Sequence, residues 1–276
     1  MTMILLVSDD QTRRGGICEA LAGEGYEIRC AHDGRRGLAV LAEEPADLII
    51  ADWTEASGEE VESLKRLRLE HRGVRRLVVT QGGTPAAIID ALRGHVCDFL
   101  TEPFTAEELR AAVCGALAGC PAAGIEVVSA KPEWVELLAP GDLLAVPPLL
   151  KLLTQLDAGL PPELHEAISY AFREMFSNAA EHGCGLDPAK RIEVSYVRLG
   201  RAVVCRIKDP GEGFDPSRLR HAAINNPAHD PLRHASVREE KGLRPGGFGM
   251  MLTSRLVDEL EYNERHNELM FVKYLS

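Results

Sequence analysis

The chain has 276 residues, a net charge of −11 and 45% apolar residues. This length suits about two domains of roughly 100–200 residues each, and the composition is that of an ordinary folded protein. Acidic residues outnumber basic ones in both halves, so we expect no nucleic-acid partner, which would need clustered Lys and Arg. No apolar run is long enough to span a bilayer. We therefore expect no membrane partner and a cytoplasmic protein.

Seven cysteines are scattered along the chain, and no two have CxxC spacing. We expect small buried thiols in a reducing compartment, with a redox or metal role as the alternative.

Residues 1–118 alternate short apolar runs with helical patterns. Strands are predicted at 3–8, 26–31, 47–52, 76–80 and 98–101, and helices at 17–22, 37–43 and 106–117. This alternation predicts an α/β fold with a doubly wound parallel sheet that helices cover on both faces.

Polar residues follow three of these strands. Asp9 and Asp10 come after the first strand, Asp52 ends the third and Thr80 ends the fourth. The carboxyl ends of parallel strands meet at one edge, where ligands bind. Three carboxylates there would repel one another unless a hard divalent cation bound them. The alternative is that these acids are simply solvated.

The first 118 residues resemble the response-regulator receiver domain. The match is carried by the stretches 31–41, 45–53 and 98–104. The resemblance implies that Asp52 is a phosphoacceptor and that Asp9, Asp10 and Asp52 hold Mg²⁺. It implies that the hydroxyl of Thr80 follows the phosphoryl group, and that a sensor kinase is a candidate partner.

Two features depart from that family. Glu102 stands before Pro103 where the family has Lys, and the loop 53–58 lacks the family's Met-Pro and is shorter. Unless it is screened, an anion beside an incoming dianion costs about 1–4 kcal/mol. Two interpretations stay open: Asp52 is phosphorylated, or the domain is a pseudo-receiver for docking or homodimer formation.

The second half is read as a linker at 119–123 and a domain at 124–276. Strands are predicted at 125–130, 134–138, 191–197, 202–209 and 269–274, and helices from 142 to 157, after Pro161-Pro162, and from about 249 to 259. We predict an α/β sandwich with helices on one face of a mixed sheet. The long polar stretch 214–245 is typical of a functional lid.

Glu174 and Asn178 are four residues apart on a predicted helix, so they share one face. An amide oxygen can coordinate Mg²⁺, and a carboxylate one turn away can position a hydroxyl or a water.

Two glycine-rich motifs follow. Asp209 precedes Gly211 and Gly213, and could accept a hydrogen bond from an exocyclic amine while glycine backbone lies close to a flat ring. The second motif leads into a predicted helix, whose free N–H groups can bind phosphate. It comprises Gly246, Gly247 and Gly249.

Residues 124–276 resemble the ATPase domain shared by histidine kinases, gyrase, heat-shock 90 chaperones and mismatch-repair proteins. They look closest to the anti-sigma-factor serine kinases. The resemblance implies that Asn178 holds the Mg²⁺ of ATP, Glu174 is the general base and Asp209 recognises adenine. It implies that Gly211 and Gly213 line the adenine pocket. Gly246, Gly247 and Gly249 would shape the phosphate side of the lid at 214–245.

A histidine kinase would need a dimerising helix pair with a phosphoacceptor His, and we find none. His165 lies inside the ATPase-like domain and lacks that motif's context. Three hypotheses remain. The first is an ATP-dependent Ser/Thr kinase acting on a regulatory antagonist protein, which Glu174 favours. The second is an ATP-gated module that sequesters a partner such as a sigma factor, and the third is a scaffold.

Overall fold

The computed structural model describes residues 2–52, 66, 71, 73–81, 84–119, 122, 124–131, 133–213, 230, 240 and 248–275. The chain divides into two compact units, Met1–Gly124 and Ile125–Ser276. Within the described residues, no helix is long and apolar enough to cross a membrane.

The first unit contains a five-stranded parallel sheet with the order β2-β1-β3-β4-β5, which confirms the predicted doubly wound fold. Its strands are β1 Thr2–Val7, β2 Tyr26–Ala31, β3 Leu48–Asp52, β4 Arg75–Gln81 and β5 Asp98–Glu102. Its described helices of more than one residue are α1 Gln11–Ala20, α2 Gly34–Glu43, α3 Pro85–Arg93 and α4 Ala106–Ala118.

Helix α1 begins six residues before the prediction placed it. The first turns, Gln11-Thr-Arg-Arg-Gly-Gly16, carry no apolar residue, so apolar periodicity could not reveal them. Asp10 caps this end, because its side chain accepts hydrogen bonds from the N–H groups of Thr12 and Arg13.

The sheet is covered on both faces because successive side chains of β1 point in opposite directions. Ile4 and Leu6 are buried in a cluster that includes Ile17 of α1 and Val113 of α4. Met3, Leu5 and Val7 belong to a second cluster with Leu41 of α2. Since β1 lies between β2 and β3, the topology reverses beside β1, and the crevice at that point opens beyond Ser8 and Asp52.

The second unit contains a six-stranded sheet with the order β10-β11-β9-β8-β7-β6. Its strand pairs are antiparallel throughout, rather than mixed as predicted. The strands are β6 Glu126–Lys131, β7 Trp134–Pro140, β8 Arg191–Leu199, β9 Ala202–Lys208, β10 Glu259–Tyr262 and β11 Glu268–Tyr274. The described helices of more than one residue are α5 Val146–Leu156, α6 Pro162–Asn178 and α7 Gly249–Leu256, with a 3₁₀ turn at Leu143–Ala145 and a π-helix at Ala179–Cys184.

The prediction for the end of α7 was wrong. This helix ends at Leu256 instead of continuing to about residue 259, and the unpredicted strand β10 follows. Glu259-Leu-Glu-Tyr262 alternates exposed and partly buried side chains, as an edge strand does, and Tyr262 pairs with Leu269 of β11.

One face of this sheet is buried, as the alternation along β8 shows: Ile192, Val194 and Tyr196 are buried, and the residues between them are only partly buried. Helix α6 also buries one stripe, which includes Phe172 and Phe176 with ring centroids 5.8 Å apart. Sheet and helices therefore share one core.

The cysteines differ from expectation at one position. Cys97 is disulfide-bonded, so the prediction of reduced thiols is wrong there. The other described cysteines are free, namely Cys18, Cys30, Cys114, Cys184 and Cys205.

A buried carboxyl group joins α5 to the sheet. Asp157 directly follows α5 and is 2% exposed. Its Oδ1 accepts a hydrogen bond from the Tyr196 hydroxyl, and its Oδ2 has no partner in the part of the chain that the structure describes. Burial raises the pKa of Asp157, while the Tyr196 hydrogen bond opposes this rise. Arg198 on the same strand donates to the carbonyl oxygens of Leu156, at 2.9 Å, and Ala158, at 3.1 Å. Strand β8 thus fixes the C-terminal end of α5.

We expect Tyr196→Phe to lower the free energy of unfolding by about 1–3 kcal/mol near neutral pH, because both oxygens of Asp157 then lack a donor. The folded-state pKa of Asp157 is already raised. Ionisation of Asp157 therefore opposes folding as pH rises from its unfolded-state pKa through its folded-state pKa. Loss of the Tyr196 donor raises the folded-state pKa of Asp157 further. At about pH 4 the substitution should therefore lower the free energy of unfolding by less. Urea unfolding at both pH values measures it.

Tyr274→Phe is the matched control. Tyr274 is 49% exposed and its hydroxyl donates to Glu259 at the surface, so we expect a change within about 0.5 kcal/mol. Equal costs for the two substitutions would contradict the role given to the buried pair.

Candidate functional site

The first candidate site is the acidic pocket, which we define as Ser8, Arg13, Asp52 and Glu102. Asp52 ends β3, and its side chain is 2% exposed. Its Oδ2 accepts hydrogen bonds from the Ser8 hydroxyl, at 2.7 Å, and from Arg13 Nη1. Its Oδ1 is buried and has no hydrogen-bond partner among the described residues.

Arg13 reaches this pocket from the first turn of α1. Its Nε donates to Glu102 Oε1 at 2.8 Å and its Nη2 to Glu102 Oε2 at 3.2 Å, which is the two-point pairing that a planar guanidinium makes with a carboxylate. Burial alone would lower the pKa of Arg13, but the hydrogen bonds to Asp52 and Glu102 raise it above its ordinary value. One cation is therefore shared by two carboxylates, and Glu102 is not the unscreened anion considered from sequence.

The other predicted residues lie apart from these contacts. Asp9 is exposed. Asp10 Oδ1 accepts from the N–H of Thr12 at 2.8 Å and of Arg13 at 3.0 Å, and the Arg13 N–H lowers the pKa of Asp10. Thr80 is fully buried and its hydroxyl has no partner among the described residues.

Within the described part of the chain, no group of three or more His, Cys, Asp or Glu side chains is placed to hold a metal ion. Asp10 serves as a helix cap, and Arg13 occupies Asp52 Oδ2. As arranged here, the predicted Mg²⁺ ligands Asp9, Asp10 and Asp52 do not fit a divalent cation.

Sequence reasoning missed Arg13. Two features of the sequence could have indicated it: a basic residue three positions after Asp10, and Glu102 where the family has Lys. Their connection depends on a contact between positions 89 residues apart.

The second candidate site lies in the second unit, around α6. Glu174 and Asn178 are both partly buried, outside the stripe of α6 that enters the core. Gly249 is the first residue of α7, and a Cβ added there would overlap the Glu174 carboxylate. The predicted base thus lies against the start of the predicted phosphate-binding helix, where free N–H groups favour an anion.

Asp209 lies between two glycines, and we call this group with Asn267 the Asp209 pocket. A Cβ at Gly183 would overlap the Asp209 side chain, and a Cβ at Gly211 would lie 2.7 Å from Asp209 Oδ1. The Gly211 N–H donates to that oxygen at 2.8 Å. Burial raises the pKa of Asp209, and the Gly211 N–H opposes the rise. Only glycine leaves this carboxyl group room at both positions.

Gly183 reaches Asp209 because α6 continues beyond Asn178 as the π-helix Ala179–Cys184. This turn was not predicted. It ends at Gly185, whose φ of 68° lies in the left-handed region that favours glycine. Single π turns within helices frequently occur at functional sites.

Asn267, in the turn between β10 and β11, was also missed. The Asp209 N–H donates to the Asn267 carbonyl oxygen at 2.9 Å, and Asn267 Nδ2 donates to the Asp209 carbonyl oxygen at 3.0 Å. Asn263 Nδ2 in turn donates to Asn267 Oδ1 at 2.9 Å. Gly213, with a φ of 83°, approaches the Arg265 carbonyl oxygen so closely that a Cβ would overlap it. The same turn therefore holds both ends of the segment from Asp209 to Gly213.

Gly246, Gly247 and most of the predicted lid at 214–245 lie outside the described residues. Their roles stay predictions.

Comparison with known families gives one match for each half. Residues 4–114 match the family model for the response regulator receiver domain, and residues 139–273 match that for the histidine kinase-like ATPase domain.

Curated relatives match part of the chain. Regulatory protein AtoC of Escherichia coli is 28% identical over 41% of this chain and 25% of that protein. The transcriptional regulatory protein QseB of Haemophilus influenzae is 30% identical over 39% of this chain and 49% of that protein. The transcriptional regulatory protein CpxR of Klebsiella pneumoniae is 32% identical over 41% of this chain and 48% of that protein. The chain thus spans between a quarter and about half of the length of these relatives.

Similar solved structures are receiver domains. One from Clostridium thermocellum is 24% identical, with a TM-score of 0.39, and covers 43% of this chain and 95% of that chain. The receiver domain of NtrX from Brucella abortus is 25% identical, with a TM-score of 0.39, and covers 42% of this chain and 98% of that chain.

We expect Asp209→Asn to weaken ATP binding by about tenfold or more, because a charge-assisted hydrogen bond to the adenine amine is lost. GTP, which carries a carbonyl at that position, should lose less. Gly183→Ala should weaken ATP binding too, because its Cβ would overlap Asp209. Isothermal calorimetry with Mg²⁺ present measures each affinity.

Gly200→Ala serves as the control, since a Cβ there meets nothing within 4 Å. Folded protein that binds no adenine nucleotide, or Asp209→Asn that weakens ATP and GTP equally, would contradict the assignment of the Asp209 pocket.

Proposed function

Since the chain is a signal-transduction protein that joins a response regulator receiver domain to a histidine kinase-like, ATP-binding domain, we propose that it phosphorylates Ser or Thr of a partner protein. The observation that carries this proposal is the placement of Glu174. Its carboxylate lies against Gly249 at the start of α7, one helical turn from Asn178.

Described residues offer candidate contacts for the adenine, the Mg²⁺ and the phosphates of ATP. Asp209 would accept a hydrogen bond from adenine, Asn178 would offer an amide oxygen to Mg²⁺, and the first turn of α7 would face the phosphates. Bound ATP supplies an electrophilic phosphorus atom. Glu174, whose carboxylate lies against Gly249 at the start of α7, would accept the proton.

The need for a base separates two kinds of acceptor. A Ser or Thr hydroxyl must lose its proton as it attacks, so a positioned carboxylate accelerates the transfer. A neutral imidazole nitrogen is already nucleophilic and needs a base less. A carboxylate beside the phosphates therefore favours a hydroxyl acceptor. Following the anti-sigma-factor resemblance, the acceptor is a separate regulatory antagonist protein.

The alternative function is an ATP-gated module that sequesters a partner such as a sigma factor. The same contact gives it support. Glu174 lies where the N–H groups of α7 attract an anion, so bound phosphates would compete with it for these groups and change the start of α7. That change alone could expose or hide a binding surface without any phosphotransfer.

We expect Glu174→Ala to retain ATP binding and to lose phosphotransfer or ATP hydrolysis by about 10²–10⁴-fold, the usual contribution of a general base. Water can replace the acceptor hydroxyl, so slow hydrolysis serves as the assay while the acceptor is being sought. Asn178→Ala should reduce both binding and hydrolysis, because it removes the proposed metal ligand.

Glu166→Ala is the matched control, because Glu166 is an exposed glutamate on the same helix. It should hydrolyse ATP at the parent rate. If Glu174→Ala also hydrolyses ATP at the parent rate, the kinase proposal is wrong and the ATP-gated module is favoured.

A further inference from the structure

The oxygens of Asp52 are both withheld from a reaction partner. Oδ2 is engaged by Ser8 and Arg13, and Oδ1 is buried without a partner among the described residues. A carboxylate that attacks phosphorus needs an oxygen with a free lone pair and an open line of approach. Here Oδ2 lacks a free lone pair, because Ser8 and Arg13 engage it, and Oδ1 lacks an open line of approach, because it is buried.

Glu102 accounts for the position of the guanidinium. The two hydrogen bonds from Arg13 to Glu102, at 2.8 and 3.2 Å, hold one edge of the guanidinium, and the remaining nitrogen, Nη1, then meets Asp52. The side chains of Arg13 and Asp52 are only 8% and 2% exposed, so water screens this contact weakly. A Lys at position 102 would repel Arg13 by like charge and could not form the pair. Glu102 and Arg13 therefore act as one unit.

A tethered guanidinium differs from a metal ion in two ways that matter here. It stays protonated at any physiological pH, and it does not dissociate, because α1 carries it. It supplies the positive charge that Asp52 and Glu102 require without a diffusible cation.

We propose that Arg13 is a built-in counter-ion that seals Asp52, so that this receiver domain keeps a single state without metal binding or phosphorylation. The seal is a property of the pair Arg13 and Glu102, and removing the charge of Arg13 while reversing that of Glu102 opens it. This proposal is independent of the kinase activity proposed above, because it concerns the other unit alone.

The test uses the full chain, acetyl phosphate and Mg²⁺, with intact mass as the readout. In the tested reaction an oxygen of Asp52 forms a bond to phosphorus, the bond from phosphorus to the acetate oxygen breaks, and acetate leaves with the electron pair. The native chain should gain no adduct. Glu102→Lys alone should gain some adduct, because it loosens Arg13. Arg13→Ala combined with Glu102→Lys should gain the most, and adding Asp52→Ala should abolish the gain.

Two outcomes would overturn the proposal. One is rapid stoichiometric phosphorylation of the native chain that disappears in Asp52→Ala. The other is a folded Arg13→Ala, Glu102→Lys variant, with native circular dichroism and undiminished ATP binding, that gains no adduct.

A second measurement covers the case in which the double variant does not fold. Arg13→Ala should lower the melting temperature of the native chain by several degrees more than Arg35→Ala, because Arg35 is exposed on α2 whereas Arg13 compensates two carboxylates. Equal shifts in melting temperature for the two variants would show that Arg13 does not pair with Asp52 and Glu102, and would overturn the proposal.

Discussion

A carboxylate that leaves water needs a partner, and this constraint organises both units. Ionised groups without one cost several kcal/mol in a protein interior. Asp52 takes a guanidinium and a hydroxyl, Asp157 takes a phenol, and Asp209 takes a backbone N–H. Each partner in turn fixes an element: the start of α1, the end of α5, or the loop after β9. The architecture around these acids follows from how each one is compensated.

The three solutions differ in what they leave free. The fixed cation at Asp52 closes the carboxylate. The single N–H from Gly211 uses only Oδ1 of Asp209, so its other oxygen can still accept a hydrogen bond, and the flanking glycines leave room beside it. Asp52 is therefore held as a structural group, whereas Asp209 keeps an oxygen for the adenine contact that we propose. Partner chemistry, rather than burial, separates the two roles.

Much of the fold could be predicted from sequence because its signals are local. The parallel sheet follows from buried apolar runs such as that of β3, and Glu174 and Asn178 share a face because helical spacing requires it. β10 was not predicted, since four alternating residues beside a helix give little periodicity. Arg13 and Asn267 could not be found in this way. Their contacts join positions 89 and 58 residues apart, and local pattern carries no information on such pairs.

The turn between β10 and β11 has a consequence for synthesis. Asn267 clamps the backbone of Asp209, and Arg265 supports Gly213, while β11 lies between β9 and β10 in the sheet. These elements follow every other element of their domain along the chain. A nascent polypeptide that has passed Asp209 but not Asn267 thus carries the proposed adenine-recognition segment without the groups that hold it. The proposed nucleotide pocket can take its final form only after this hairpin has left the ribosome, so ATP bound there would not assist the earlier stages of folding.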